Sequence, residues 1–434
     1  TSDFIRDFLT FKFSSIPNLN KVFDVFREKY QFENTEDLTK LLDEIKHYSK
    51  IYYYFINPDT FPIDSVRKNL KLIKKLQINV SYPFILQVFN AYQQNKISIE
   101  TLNEVLEIIQ SFVWRRFICG VATNALNKIF MDLYKSIDED NFVYSLQVSL
   151  ITKKGSQRFP NNEEVLRELM HKDLYNIQAK NRSYFLERIE NYGHRIQTTI
   201  ENNSDVSIEH IFPQRPNPEW KEKLSEQFEE MKTYINTAAN LTLSAFNSEL
   251  SNSYFTTKRD LPEMGYKASP LRIDKFLTEI EEWNLETLSL RRQWIEKRFM
   301  EIWKYPEVQI EENSTYEEIN ILDMNLLDLE SETVRHKSME YFIFFETKYE
   351  NPKWQTLLKT VSIIMFEREP EMFFRTDLKD KLNLTIDKTK HGNSMQISQS
   401  YYIECQLSAP SIVKRVQSIL QICETDDDLM VKLK

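Results

Sequence analysis

The residues able to do chemistry are concentrated between Ser207 and Lys258. There Ser207-Ile-Glu-His-Ile-Phe-Pro-Gln214 is followed, after a polar gap, by Asn240-Leu-Thr-Leu-Ser-Ala-Phe-Asn-Ser-Glu-Leu-Ser-Asn252, then by Phe255 and Lys258. A short apolar strand ends in an acid–His pair, a second strand begins with Asn240, and Asn247 stands where a helix can start. Hydrolysis of a phosphodiester needs a nucleophilic water, neutralisation of charge on phosphate and stabilisation of the leaving 3′ oxygen. A neutral imidazole does the first near pH 7. One hard divalent cation with oxygen ligands does the other two. The order acid–His, Asn, Asn is the parts list of a one-cation, His-based phosphodiesterase. Taken singly these residues read otherwise: His210 as a surface or core histidine, Glu209 as a solvated acid, Asn240 and Asn247 as turn or cap residues.

The elements that must position these residues are mainly helical. Residues 1–200 read as helix after helix, with a cap at Asn34/Asp37 before Leu38, Leu41, Leu42 and Ile45. Thr101 and Glu104 have capping-box spacing before Leu102, Val105, Leu106, Ile109, Phe112 and Val113. Polar breaks at 153–162 and 200–205 interrupt the run, and helix returns over 271–305. Residues 306–320 read as a linker, and 321–434 mix strand and helix periods, as in a small α+β domain. The expected organisation is therefore a helical scaffold over 1–200, a nuclease-like segment with trailing helices over 201–305, the linker, and the α+β domain. One tension is built in. Neighbours in a regular strand face opposite ways, so Glu209 and His210 serve one site only if the strand twists or ends there, as Pro213 suggests.

Composition narrows the class. The 434 residues exceed one ordinary core, and only 5 glycines and 14 prolines leave little turn material. No apolar run is long enough to span a membrane, and Thr1-Ser-Asp-Phe-Ile-Arg-Asp-Phe8 lacks the pattern of a signal peptide. Cys119, Cys405 and Cys423 lie far apart, against a structural zinc site or disulfide scaffold and in favour of a cytoplasmic setting. The net charge of −9 is unusual for a binder of nucleic acid, although a local basic face can coexist with it.

The string Glu209-His-Ile-Phe-Pro-Gln214, with Asn240, Asn247 and Lys258, resembles the HNH or His-Me finger (ββα-metal) motif. More closely, it resembles the nuclease domain of GmrSD-type modification-dependent restriction endonucleases. The resemblance implies that His210 is the general base, that Glu209 and Asn247 hold one Mg²⁺ or Mn²⁺, and that Asn240 helps to orient the base. It also implies that Lys258 contacts phosphate with help from Arg259, and that Trp220 is packed. Two positions depart from the pattern: Ala239 stands where most relatives have Gly, and Glu209 where many have Asp.

Phe4–Leu9, Trp114–Gly120, Phe159–Asn161, Tyr175 and Tyr184–Glu190 resemble the helical middle region of these proteins. Within it, Arg115 and Arg116 are open to two readings, contacts to DNA phosphate or buried structural pairs. The relatives' ParB-like nucleotide-binding module, with its Asp-Gly-Gln-Gln-Arg motif, has no counterpart, so no nucleotide is expected to bind this chain. Such a module would come from elsewhere in a longer protein or from a partner subunit. The tail from 321 resembles a DNA-binding replication modulator faintly and suits packing or dimerisation equally well. The expected activity is cleavage of double-stranded, possibly modified, DNA in bacterial defence against phage. The rivals are a non-enzymatic DNA-sensing or interaction protein on a retained ββα scaffold, and an RNA-directed nuclease.

Overall fold

The computed structural model describes every residue except 1, 32–33, 124, 195–196, 201–204, 309–323, 327–328, 330, 345–346, 369, 389–393, 424–428 and 434. Most of the expected linker, the break at 201–204 and the acidic run 424–428 lie outside the described residues. The chain forms two compact units. The first comprises Thr1–Val121, Phe130–Leu150 and Phe159–Gln309, and the second Ala122–Ile129, Ile151–Arg158 and Ile310–Lys434. Among the described residues no helix is long and apolar enough to cross a membrane.

The first unit is mainly helical and carries a two-stranded antiparallel sheet. Its elements include α1 (Thr35–Ile56), α2 (Ile99–Ile118), α3 (Ala179–Asn191), β1 (Ser207–His210), β2 (Leu241–Ser244), α4 (Asn247–Leu250), α5 (Phe255–Asp260) and α6 (Leu285–Ile302). Asn34 caps α1 as its spacing predicts, accepting from the Asp37 backbone N–H. The buried stripe of α1 differs from the expected one. Leu41, Tyr48, Ile51, Tyr52 and Phe55 are inside, while Leu38 and Leu42 face solvent. The aromatic run Tyr48–Phe55 outweighs the leucines because each ring removes more apolar area from water. α2 starts three residues before the predicted box, with Ser98 as its cap on the Thr101 N–H. Its apolar face is largely the expected one, with Leu102, Val105, Leu106, Ile109 and Phe112 buried and Val113 half-buried.

The helices meet β2 in one core. Trp114 and Ile118 of α2, Tyr184, Phe185 and Ile189 of α3, Ile295 and Phe299 of α6 and the following Trp303 pack with Leu241 and Leu243. Arg115 is fully buried and ties three segments together. It donates to the carbonyls of Trp303 (2.7 Å) and Pro160 (3.0 Å) and to Asn162 Oδ1 (2.5 Å). Such a guanidinium sets the path of the backbone more than it adds stability.

The second unit holds a four-stranded antiparallel sheet in the order β3-β8-β4-β5, where β3 is Met324–Asn325, β4 Met339–Phe344, β5 Thr347–Glu350 and β8 Leu429–Leu433. A smaller pair joins β6 (Ser394–Gln396) to β7 (Tyr402–Glu404). Helices α7 (Trp354–Arg368) and α8 (Ala409–Ile422) pack on a core that includes Phe342, Phe344, Leu358, Val361, Val416 and Val431. This is the α+β arrangement that the mixed periods predict.

The hairpin of the first unit positions the site. Its register pairs Ser207 with Ser244, Ile208 with Leu243, Glu209 with Thr242 and His210 with Leu241. Asn240 fastens the chain just beyond β1. Its Oδ1 accepts from the Phe212 N–H (2.8 Å) and from Trp283 Nε1 (3.2 Å), and its Nδ2 donates to the carbonyls of Phe212 and Ile235, both at 2.9 Å. All four bonds of the amide are made at 1% exposure, so the group is fully satisfied. Ala239 does not strain the turn: it lies in a 3-10 segment, Ala238–Asn240, and is not among the residues with positive φ. Replacing Asn240 by Ala orphans several buried backbone groups at once. We expect the Asn240→Ala variant to lose about 2–4 kcal/mol in chemical denaturation, and an unchanged midpoint would contradict this account of the turn.

Candidate active site

β1 keeps its two-residue period to its last residue, so Glu209 and His210 leave it on opposite sides. His210 shares its side with Leu241, which with Leu243 faces the helices. Glu209 shares the other with Thr242, over a second core built from Ile211, Phe212, Trp220, Tyr266 and Trp283. Strand ending alone does not bring the acid and the imidazole to one face.

On the His210 side the imidazole is 8% exposed. Its Nε2 lies 3.2 Å from Asn236 Oδ1, and the Tyr175 ring stands edge-on to it, with centroids 4.3 Å apart. Asn236 in turn donates from Nδ2 to Asp173 Oδ2 at 3.1 Å. Arg182 lies over the Tyr175 ring at 4.9 Å and donates to the Tyr175 carbonyl. Burial pushes the imidazole below the ordinary histidine range; the bond to Asn236 opposes the shift and the charge of Lys258 adds to it. The ring is therefore neutral at pH 7, as a general base requires.

On the other side Glu209 is 3% exposed and is paired with Lys258, whose side chain is fully buried. Lys258 Nζ lies 2.5 Å from Glu209 Oε1 and donates to the His210 carbonyl at 2.8 Å. The Tyr266 hydroxyl donates to the same Oε1 at 3.5 Å. Burial raises the Glu209 carboxyl and lowers the Lys258 ammonium, each opposed by the charge of the other. Gly265 lets this side close. A Cβ there would sit 2.6 Å from the carbonyl oxygens of Lys258 and Arg259, so only glycine allows the chain after α5 to pass close enough to bring Tyr266 over Glu209. Below lies a further buried polar set, in which Thr242 and Ser269 donate to Asp274 and burial holds that acid up at about 7.

The proposed cation ligands are oxygen-bearing, as a hard cation needs. As the side chains stand, a divalent cation does not fit on Glu209, because the ammonium of Lys258 already occupies the anion. Asn247 is half-buried, and its Nδ2 is spent on the Ile208 carbonyl (2.8 Å) and Ser207 Oγ (3.3 Å). Among the described residues no cluster of three His, Cys, Asp or Glu side chains is arranged for a metal.

The remaining expected residues fall in three places. Asn240 sits beneath the loop that follows His210, and Trp220 is packed as expected, with Nε1 on the Ser253 carbonyl. Arg259 turns away to Asp260 and the Ile280 carbonyl. Arg115 and Arg116 are buried, which excludes them from a DNA-facing surface in this conformation; Arg116 stacks over Phe112 at 5.3 Å. Lys258, expected on phosphate, is buried against Glu209 instead. Asp173, Tyr175, Arg182 and Asn236 gather around His210. Of these, only Tyr175 was part of the resemblance, because the others come from loops and from α3 with no pattern linking them to the strand.

Residues 159–298 match the family described as GmrSD restriction endonucleases, C-terminal domain, a match that covers less than half of the chain. No curated protein matches the chain. The matched segment contains the hairpin, α4, α5, most of α6 and the loops carrying Asp173 and Asn236. Over residues 159–298 the chain is therefore similar to the C-terminal domain of the GmrSD restriction endonucleases.

Proposed function

We propose that this protein cuts double-stranded DNA in defence against phage or modified foreign DNA, with His210 as the general base. The observation that carries the reading is the imidazole itself: it ends the first strand of a ββα segment and is held neutral by burial. Asn240 supports it by fixing the loop that follows, so the ring's position does not depend on a mobile turn. Water bound beside the ring would give up a proton to it and attack phosphorus, leaving a 5′-phosphate and a free 3′ hydroxyl. The family implies a divalent cation, which would need Glu209 released from its pairing with Lys258.

One observation favours a second reading. A carboxylate committed to a buried ammonium suits a scaffold that binds DNA without cutting it. Cleavage of plasmid DNA and of RNA, with added Mg²⁺ or Mn²⁺ and with EDTA, separates the readings. We expect plasmid cutting, and a fall of about 10²–10⁴-fold in the His210→Ala variant. Equal cutting by that variant would remove the assignment. The rate should persist as pH falls to about 6.5, the ordinary histidine value, and drop only below it, since protonation abolishes a base and burial delays it. An acid limb centred above neutrality would contradict this.

The ion pair makes its own test. Lys258→Met leaves the buried Glu209 carboxylate without its counter-charge and should cost roughly 3–5 kcal/mol, whereas Lys258→Met with Glu209→Gln should cost markedly less. A Lys258→Met protein as stable as the parent would mean that the pair does not exist in solution.

A further inference from the structure

We propose that Asn236, oriented by Asp173, is the positioning residue that keeps the proton of His210 on Nε2 and leaves Nδ1 as the atom that accepts a proton from water. The inference rests on the reading of His210 as the base. Its ground is the order of donors and acceptors along three side chains.

Asp173 anchors the chain. Its Oδ1 accepts from the backbone N–H groups of Tyr175 (3.0 Å) and Asn176 (2.8 Å), and its Oδ2 from Asn176 Nδ2 (2.7 Å) and Asn236 Nδ2 (3.1 Å). Burial alone would raise this carboxyl, but the hydrogen bonds from Asn176, Tyr175 and Asn236 outweigh it and hold the group below its usual range. An ionised carboxylate accepts and cannot donate. The amide of Asn236 must therefore turn its NH₂ to Asp173, which turns its carbonyl oxygen to the imidazole. A carbonyl oxygen also only accepts, so Nε2, 3.2 Å away, must carry the hydrogen.

The geometry allows little alternative. The backbone carbonyl of Asn236 receives the Leu174 N–H at 2.9 Å, so the Asn236 and Asp173 loops are joined by a main-chain bond as well as by side chains. The Tyr175 ring, edge-on to the imidazole at 4.3 Å, bounds its rotation. With Nε2–H fixed, the Nδ1 lone pair forms the new N–H bond when water loses a proton. The water oxygen then bonds to phosphorus, the P–O3′ bond breaks, and its electron pair leaves on the 3′ oxygen, which takes a proton from solvent. The positive charge on the ring points along Nε2–H towards Asn236 and the Asp173 carboxylate, which favours it.

The test reads the tautomer directly. The full chain is labelled with ¹⁵N-histidine, the His210 signals are assigned by their loss in His210→Ala, and long-range ¹H–¹⁵N correlations identify the protonated nitrogen of the neutral ring. We expect Nε2–H in the parent protein. Asn236→Leu should mix the tautomers and lower kcat for plasmid cutting by about 10- to 100-fold, with KM changed by less than about 3-fold. The polarity-reversed pair Asn236→Asp with Asp173→Asn offers an acceptor to Nε2 and a donor to residue 236, and should restore both tautomer and rate. A parent ring protonated on Nδ1, or an Asn236→Leu protein with unchanged tautomer and kcat, overturns the proposal. Should Asn236→Leu fail to fold, the reversed pair decides: Nε2–H retained supports the proposal and its loss overturns it. The tautomer is read without any cutting, so its failure is told apart from failure of the nuclease reading, which His210→Ala activity tests.

Discussion

The two-residue period of β1 governs the arrangement of everything around it. Because Glu209 and His210 are adjacent, the strand must send one to each side of the hairpin, and the two sides have different surroundings. The side of Glu209 is closed: Lys258, Tyr266 and the Asp274 set fill it with buried, mutually compensating polar groups. The side of His210 remains slightly open and meets loops brought in from far along the sequence. An imidazole is thereby kept neutral and aimed, while a carboxylate one residue away is neutralised.

Rigidity comes from groups that stability alone would not favour. Arg115, Asn240 and Lys258 are polar, buried and nearly or fully bonded to backbone or to an acid. Each would cost several kcal/mol if its partners were lost, and each contributes little net stability beside an apolar substitute. What they do is fix paths: Arg115 joins α2 to the ends of α6 and the 160–162 loop, Asn240 fixes the turn after β1, and Lys258 joins α5 to β1. The aromatic core of Trp114, Tyr184, Phe185 and Trp303 holds the hairpin from the helical side.

Much of this was legible in the sequence where chemistry and local pattern coincide. Glu209-His-Ile-Phe-Pro-Gln214 and Asn240-Leu-Thr-Leu are contiguous, so the hairpin, its order and its place before a short helix could be read directly. The α+β tail followed from the aromatic, strand-like run at Tyr341, the alternation from Tyr401 and the periods of its helices. Partners separated by long stretches were not legible. Lys258 lies 49 residues from Glu209, and a lysine is exposed by default, so nothing in its spacing announced a buried pair. Asn236 and Asp173 reach His210 from loops whose Asx-type chemistry looks the same as that of any turn. On α1, the leucines and the aromatic run offered competing stripes, and only the packing of whole helices decides between them.

The central claim is that one imidazole, at His210, takes the proton that makes water a nucleophile. Chemical rescue tests it most directly: His210→Gly protein is assayed for plasmid cleavage with and without free imidazole in the buffer. We expect cutting to be lost and then recovered in proportion to added imidazole, because the cavity left by the side chain accepts the free ring. Cutting by His210→Gly at the parent rate without imidazole would contradict it.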